Sequence, residues 1–229
     1  MIPVLRLRWT ETVQPRLPLG RLLPVGPPAW STLDWMTDRA PLVVVVAGPN
    51  GAGKSTMAAR LLQDALTVSE FVNADPIASG LSAFRPQSVA MAAGRVMLAR
   101  MKALAEARQD FAFETTLASR SFAPWLVGLR RSGYRAHLAF LSLSSSDLAV
   151  ARVAERVRQG GHDVPQAVVR RRFAAGLRNF FTLYVTVVDS WRMFDNSAAT
   201  GPRLVAFAAT RQPANVVDVA TWNALQESY

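Results

Sequence analysis

The chain has 229 residues, of which 50% are apolar and 18% are charged, so it can form a hydrophobic core and is not an intrinsically disordered protein. It has no cysteine and only two histidines, which excludes disulfides, thiolate metal sites and zinc clusters. The net charge of +10 comes almost entirely from arginine and favours an anionic partner, such as a phosphate or a nucleic acid.

The apolar residues show no pattern typical of a membrane protein. The longest continuous apolar run, Leu42–Ala47, is far shorter than the roughly 20 residues of a membrane-spanning helix. No segment near the N-terminus of this sequence has the apolar region expected of a secretory signal. We therefore expect a soluble, cytoplasmic protein with no membrane partner.

The N-terminal region differs in composition from the rest. The first 41 residues hold seven of the 14 prolines and three of the six tryptophans, without a helical or alternating period. This predicts a Pro-rich extension over residues 1–40 and one folded domain over residues 41–229. Two interpretations of the extension stay open. Either translation starts at Met36, or the segment is an arm that packs Trp9, Trp30 and Trp35 on the core.

From residue 41 onwards, short apolar runs alternate with stretches of helical spacing. The predicted strands cover residues 42–47, 71–73, 111–114, 134–143, 193–194 and 204–208. The predicted helices cover residues 55–66, 86–108, 122–131, 146–159, 165–187 and 216–225. Strands that alternate with helices indicate an α/β sandwich with a mostly parallel central sheet.

A phosphate-binding motif follows the first strand. The pattern G-x-x-x-x-G-K-[ST] is complete, and it lies between a buried strand and a helix, as a P-loop must. Its residues are Gly48, Pro49, Asn50, Gly51, Ala52, Gly53, Lys54, Ser55 and Thr56. Lys54 is expected to reach the β and γ phosphates of ATP, and the Ser55 hydroxyl is expected to ligate Mg²⁺.

Other P-loop motifs are absent from the sequence. It has neither the Asn-Lys-x-Asp motif of GTPases nor the Leu-Ser-Gly-Gly-Gln signature of transporter ATPases. A P-loop, an acidic residue after the second strand and an Arg-rich helical hairpin remain. This combination is typical of small kinases, which catalyse mainly by positioning and charge neutralisation.

Polar residues follow the second and third predicted strands, at the edge of the sheet that carries the P-loop. Asp75 could accept the proton of an attacking hydroxyl, or it could simply cap a helix or form a turn before Pro76. Glu114, Thr115 and Thr116 could hold the substrate or a metal-bound water, or they could be strand-end polar and capping residues.

The predicted hairpin at about residues 146–187 is a candidate lid. Eight arginines lie between Arg152 and Arg192, against three acidic residues in the same stretch. A hinge at Gly160 and Gly161 would let two helices direct guanidinium groups at one anion. The competing interpretation is a solvated helix surface.

Together these motifs resemble the zeta toxin family, in its poorly characterised zeta-toxin-like branch. The resemblance rests on residues 48–56, 71–75, 113–116, 158–165 and 170–173. It implies that Lys54 and Ser55 bind ATP and Mg²⁺, that Asp75 is the general base, and that Glu114 and Thr116 contact the acceptor. It also implies that Arg158 and Arg171 brace the transferring phosphate, a role that the neighbouring Arg156, Arg170 and Arg172 can take equally.

The resemblance further implies an ATP-dependent kinase that phosphorylates a sugar hydroxyl, with UDP-N-acetylglucosamine as the acceptor of the better-known members. An antitoxin protein restrains many of those members. Residues 76–108 depart from the characterised toxins, which leaves the acceptor open. The alternative function is a P-loop ATPase or end kinase that acts on nucleic acid. It is disfavoured because no aromatic residues interleave the arginine cluster.

Overall fold

The computed structural model describes residues 40–60, 68–82, 85–161, 163–209 and 212–228. Apart from Ala40, the predicted N-terminal extension lies outside these residues, and so does the choice between its two interpretations. The division into residues 1–40 and 41–229 therefore stays a prediction.

The strands of the described residues are β1 (Leu42–Ala47), β2 (Glu70–Val72), β3 (Phe111–Thr115), β4 (Arg135–Ser142), β5 (Ser190–Asp195), β6 (Arg203–Ala209) and β7 (Asn215–Val216). They form one sheet in the order β2-β3-β1-β4-β5-β6-β7. Strands β2, β3, β1, β4 and β5 run parallel to one another, whereas β6 pairs antiparallel with both β5 and β7. The predicted α/β fold with a mostly parallel sheet is confirmed.

The helices in the described part of the chain are α1 (Lys54–Arg60), α2 (Ala74–Leu81), α3 (Ala90–Glu106), α4 (Phe122–Arg131), α5 (Ser146–Arg158), α6 (Gln166–Asn179), α7 (Val185–Val187) and α8 (Val219–Glu227). A 3₁₀ turn, Pro86–Val89, precedes α3, and a π-helical turn, Phe180–Tyr184, joins α6 to α7. The described residues contain no helix that is both long and apolar enough to cross a membrane.

The central strand β1 sets the position of the P-loop. All six of its residues are buried, as expected for a Val-rich strand covered on both faces. It lies between β3 and β4, with Val46 beside Glu114 and Ala47 beside Thr115. Because these strands are parallel, their carboxyl ends share one edge of the sheet, called here the carboxyl edge.

The hairpin of α5 and α6 is anchored to the sheet by aromatic packing at its far end. The Phe180 ring lies 4.7 Å from the Phe140 ring of β4 and 5.3 Å from the Trp191 ring of β5, measured between centroids. Phe140 and Phe180 are almost fully buried. The C-terminal end of the hairpin is therefore part of the hydrophobic core and anchors α6, the helix that carries Arg170, Arg171 and Arg172.

Two of the differences between the predicted elements and the structure concern where helices lie. The sequence predicted no helix directly after β2, where α2 lies. It also predicted a closing helix from residue 216, whereas residues 215–216 pair with β6 and α8 begins at Val219. The Asp218 side chain explains this start, because it accepts a hydrogen bond from the Thr221 amide and caps α8.

Candidate active site

The P-loop, residues 48–56, leads from β1 into α1, and its first residue, Gly48, packs against β4. Gly48 has φ of 142°, and a Cβ at this position would lie 2.2 Å from the Leu141 carbonyl oxygen. Any other residue would collide with the backbone of β4 there. The Met57 amide then donates a backbone hydrogen bond to the Gly53 carbonyl and starts α1, the helix whose N-terminus faces the loop.

Hydrogen bonds from Asn196, which follows β5, and from Arg152 of α5 support the P-loop. Asn196 directly follows β5, and its Nδ2 donates to the Ala52 carbonyl at 2.8 Å. The Arg152 guanidinium of α5 in turn donates to the Asn196 and Ser197 carbonyls at 2.7 and 2.8 Å. Asn196 was not among the site residues predicted from the sequence. Its position after a strand that ends at the carboxyl edge was the available signal.

Lys54 is buried against the loop and against an acidic neighbour. Its Nζ donates to the Pro49 carbonyl at 3.0 Å and lies 3.5 Å from Glu114 Oε1. Burial lowers the pKa of Lys54, because it disfavours the charged form, while the Glu114 carboxylate opposes that shift. An anion that accepts hydrogen bonds from this side chain would therefore favour its charged form further.

Glu114 is the centre of a small polar network at the end of β3. Its Oε2 accepts hydrogen bonds from the Ser55 hydroxyl at 2.7 Å and from Asn73 Nδ2 at 2.8 Å, while its Oε1 faces Lys54. The β2–β3 and β3–β1 pairings explain this meeting, since they bring the ends of all three strands side by side.

These residues fit a Mg²⁺ ion that is bound together with phosphate groups. The Ser55 hydroxyl and the Glu114 carboxylate are hard oxygen donors, and Mg²⁺ is usually held by a few such donors, substrate phosphates and water. In the described ranges, His, Cys, Asp and Glu side chains form no cluster of three or more suited to a metal ion. The site therefore suits a metal that arrives with its phosphate ligand better than a metal held by protein alone.

Asp75 lies in the first turn of α2, on the same edge of the sheet. The N-cap of this helix is Asn73, whose Oδ1 accepts from the Asp75 amide at 2.9 Å, so Asp75 does not serve as the cap. The Asp75 side chain is exposed and lies within electrostatic range of Lys54 and Arg172. A carboxylate in the first turn also interacts favourably with the helix dipole, which is a structural reason for an acidic residue at this position.

Thr115 and Thr116 stabilise the turn that follows β3. The Thr115 hydroxyl accepts from the Leu117 amide at 3.1 Å, and the Thr116 hydroxyl accepts from the Ala118 amide at 3.4 Å. Leu117 adopts a positive φ of 54° in this turn. Among the described residues neither hydroxyl group donates a hydrogen bond, so the capping interpretation and the substrate interpretation are compatible.

Besides Arg152, two further arginines of the hairpin lie near the P-loop, Arg156 and Arg172. Arg172 Nη1 lies 3.5 Å from Asn50 Oδ1, at the long limit of a hydrogen bond. Burial lowers the pKa of Arg172, and the Asp75 carboxylate opposes the shift. Arg156 of α5 is close enough for its charge to lower the pKa of Lys54. The hairpin thus supplies positive charge from both helices.

Among the described residues, no hydrogen bond or ion pair joins Arg158, Arg170 or Arg171 to the loop. Arg158 pairs with Glu155 on the exposed face of α5. Arg170 contacts Asp147 and the Ser146 hydroxyl, which joins α6 to the start of α5. The Arg171 side chain is exposed. The positions of Arg156 and Arg172, both named as alternatives from the sequence, match the bracing role better than those of Arg158 and Arg171.

Comparison with known proteins gives one family match and one curated relative. A family model described as an AAA domain, AAA_33, matches residues 43–183. An uncharacterized protein of Haemophilus influenzae is 26% identical over 130 residues, which is 57% of this chain and 91% of the relative.

Similar solved structures share the fold. Structures of the AvrRxo1-ORF1:AvrRxo1-ORF2 complex, one with sulphate ions and one with ATP, match with TM-scores of 0.65 and 0.64 at 15% identity. The match covers 84% of this chain but spans 65% of the length of the AvrRxo1 chain. A structure of the PezAT toxin-antitoxin system of Streptococcus pneumoniae matches with a TM-score of 0.60 at 12% identity, over 84% of this chain and 79% of that one. The resemblance to zeta-toxin-like P-loop proteins is confirmed at the level of the fold.

Proposed function

The chain belongs to the AAA domain family AAA_33, and on that premise we propose that it is an ATP-dependent kinase that phosphorylates a hydroxyl group of a small molecule. One observation carries the proposal. The P-loop lysine, the Ser55–Glu114 pair and the exposed Asp75 carboxylate all lie at one edge of the sheet. A nucleotide, a metal ion and an acceptor can therefore meet there.

The P-loop residues have the properties needed to bind the phosphates of ATP. The backbone amides of Gly51, Gly53, Lys54 and Ser55 provide neutral donors, and the N-terminus of α1 adds a partial positive charge. Lys54 would leave the Pro49 carbonyl and donate to the β and γ phosphates. This exchange compensates the burial of its charge.

Ser55 and Glu114 would hold Mg²⁺, Ser55 through its hydroxyl and Glu114 directly or through water. When bound, Mg²⁺ neutralises charge on the phosphate oxygens. Glu114 already holds the Ser55 hydroxyl at 2.7 Å, so the two oxygens start from a fixed arrangement.

Asp75 would act as the general base. The acceptor oxygen forms a bond to the γ phosphorus, the bond from that phosphorus to the β–γ bridging oxygen breaks, and the acceptor proton passes to the Asp75 carboxylate. ADP leaves with the electron pair of the broken bond. The exposure of Asp75 supports this role, because an acceptor can reach the carboxylate from solvent.

Arg156 and Arg172 would stabilise the negative charge on the transferring phosphoryl group. Guanidinium groups bind phosphate oxygens in two parallel hydrogen bonds, which fixes orientation as well as charge. Arg172 lies 3.5 Å from Asn50 of the P-loop and within electrostatic range of Asp75, and both observations support a position for Arg172 between the nucleotide and the acceptor.

UDP-N-acetylglucosamine is the proposed acceptor, and an antitoxin protein is a proposed partner. The acceptor follows from the resemblance to the zeta toxins. The partner is supported by the fold shared with a protein of a toxin-antitoxin system.

ADP release measured with and without an acceptor tests the proposed function. We expect ATP turnover that depends on Mg²⁺ and rises at least about 10-fold with UDP-N-acetylglucosamine, because transfer to a bound hydroxyl replaces slow hydrolysis by water. DNA and RNA oligonucleotides with free 5′ hydroxyl ends serve as the competing acceptors. Stimulation by oligonucleotides alone would favour the end-kinase alternative, and turnover unaffected by any hydroxyl acceptor would contradict a kinase.

A further inference from the structure

Asn73 uses both ends of its side-chain amide at the candidate site. Its Nδ2 donates to Glu114 Oε2 at 2.8 Å, and its Oδ1 accepts from the Asp75 amide at 2.9 Å. The residue is only 9% exposed. The orientation of the amide follows from its partners, since a carboxylate requires the NH₂ group and a backbone amide requires the oxygen.

We propose that Asn73 is a positioning residue that holds the Asp75 backbone at a fixed distance from the Glu114 carboxylate. The inference rests on the proposed function, in which Glu114 lies at the metal ion and Asp75 is the base. The Asn73 side chain hydrogen-bonds to the first turn of α2 and also to the Glu114 carboxylate, which accepts from Ser55. The acceptor side and the nucleotide side of the site are thereby joined by one side chain.

The residue type is the one that this geometry requires. Asn, Asp, Ser and Thr all cap helices well, because each offers a side-chain oxygen to the first-turn amides. Asn alone among them also carries an NH₂ donor on the same rigid plane. Aspartate at position 73 would repel Glu114, and serine has no second atom to reach it. Capping by itself therefore does not account for asparagine at this position.

The bond from Asn73 also restrains Glu114. The Oε2 atom of Glu114 accepts from both Ser55 and Asn73, while Oε1 faces Lys54. Without the amide donor, Glu114 can rotate towards Lys54 and away from Ser55. Displacements of about 1 Å in a reacting group can reduce a rate about 100-fold.

The test compares Asn73→Ser and Asn73→Asp with the wild-type chain. Both variants keep a side-chain cap for α2, so we expect the melting temperature of Asn73→Ser to stay near that of the wild type. That of Asn73→Asp should fall, because its buried carboxylate faces Glu114. We expect kcat for phosphoryl transfer to fall about 100-fold, with a KM for ATP close to the wild-type value. The Mg²⁺ concentration that supports half-maximal binding of a fluorescent ATP analogue should rise about 10-fold, because the Glu114 carboxylate is no longer oriented.

Asp218→Ser is the matched control. Asp218 caps α8, which follows β7 at the opposite edge of the sheet from β2. Exchanging one capping residue for another there should change neither the Mg²⁺ requirement nor kcat. A change of similar size in this control would contradict a specific role for Asn73.

The outcomes separate this inference from the proposed function. If the wild-type chain transfers phosphate to no hydroxyl acceptor, the proposed function fails, and the Mg²⁺ dependence of ATP-analogue binding alone decides the role of Asn73. A higher Mg²⁺ requirement in both variants supports positioning of Glu114. An unchanged Mg²⁺ requirement, or a lower melting temperature as the sole effect, reduces Asn73 to a helix cap and overturns the inference.

Discussion

Two polar networks lie at opposite ends of the parallel strands. The network at the carboxyl edge joins Lys54, Ser55 and Asn73 to Glu114. The network at the amino ends of β4 and β5 is built around Asp189, which accepts from Arg130 Nε at 2.8 Å and from the Ala136 amide at 2.9 Å. In the second network His137 Nδ1 also contacts the Ser190 hydroxyl.

The two networks differ in what they border. At the amino ends, Asp189 links helix α4 to the backbone of the adjacent strand, so its hydrogen bonds connect elements of the fold. At the carboxyl edge, the buried groups adjoin the exposed Asp75 and the half-buried Arg172, which a ligand can approach. A hydrogen-bonded, partly buried charge such as Asp189 is therefore no sign of a site by itself, whereas a buried charge beside accessible charges of both signs is one.

Lys54→Ala should have the largest effect on activity. Removing the buried ammonium group should lower kcat for phosphoryl transfer about 100- to 1000-fold, the range for loss of a preorganised donor to a developing charge. Steady-state ADP release measures it. The chain has one other lysine, Lys102, which pairs with Glu106 on the exposed face of α3. Lys102→Ala is the control and should leave kcat unchanged.

Replacing neighbouring arginines tests which part of the hairpin serves the site. Arg172→Ala should lower kcat about 10- to 100-fold, because a guanidinium group near the P-loop is lost. Arg171→Ala, one residue away but exposed, should change kcat less than about 3-fold, as expected for a surface charge screened by solvent. The opposite ranking would assign the bracing role to Arg171, as the family resemblance implies.

Asp189→Ala should affect stability and leave activity nearly intact. The substitution leaves the Ala136 amide and Arg130 without their carboxylate acceptor, which should reduce the free energy of unfolding by about 1–3 kcal/mol. Urea denaturation measures the change. Glu70→Ala breaks the more exposed Arg100–Glu70 pair and should cost only about 0.5 kcal/mol. A loss of turnover in Asp189→Ala without a loss of stability would erase the distinction between the networks.

The amino-end network should also make stability depend on pH. Burial lowers the pKa of His137 to about 4; Asp189 opposes the shift, and Arg135 and Arg192 add to it. The unfolded chain, with an ordinary histidine pKa near 6.5, binds a proton in this pH range that the folded chain does not bind. The free energy of unfolding should therefore fall as the pH drops from about 6.5 to about 4. His137→Gln should flatten this dependence in urea titrations. If the free energy of unfolding changed equally with pH in the wild type and in His137→Gln, this role of His137 would be contradicted.

The sequence was sufficient for the P-loop because its evidence is local. A Val-rich strand, a Gly-rich loop and a helix follow one another without interruption, and each obeys a short-range rule. Asn73 was missed as a site residue because its partner Glu114 ends a different strand. Their contact depends on the order β2-β3-β1, which the sequence pattern did not specify.

The choice among consecutive arginines also depended on packing. Residues 170, 171 and 172 of a helix point in directions about 100° apart, so only the orientation of α6 decides which one faces the loop. The buried residues Val169 and Phe173 mark the core face of α6. Arg170 and Arg172 both border that face, whereas Arg171 lies opposite it. That helical pattern was a signal against Arg171, but the choice between Arg170 and Arg172 depends on their contacts with Asp147 and Asn50 in the folded chain.

The most direct measurement of whether the carboxyl edge transfers phosphate uses the Asp75→Asn variant. ATP affinity and acceptor-dependent ADP release are measured on one preparation, beside the wild-type chain. Asparagine keeps the shape of the side chain and removes the base, so we expect ATP affinity within about 3-fold of wild type and transfer reduced about 100-fold or more. Transfer at the wild-type rate would contradict the role of Asp75 as base and leave it as an acidic residue of the first turn of α2.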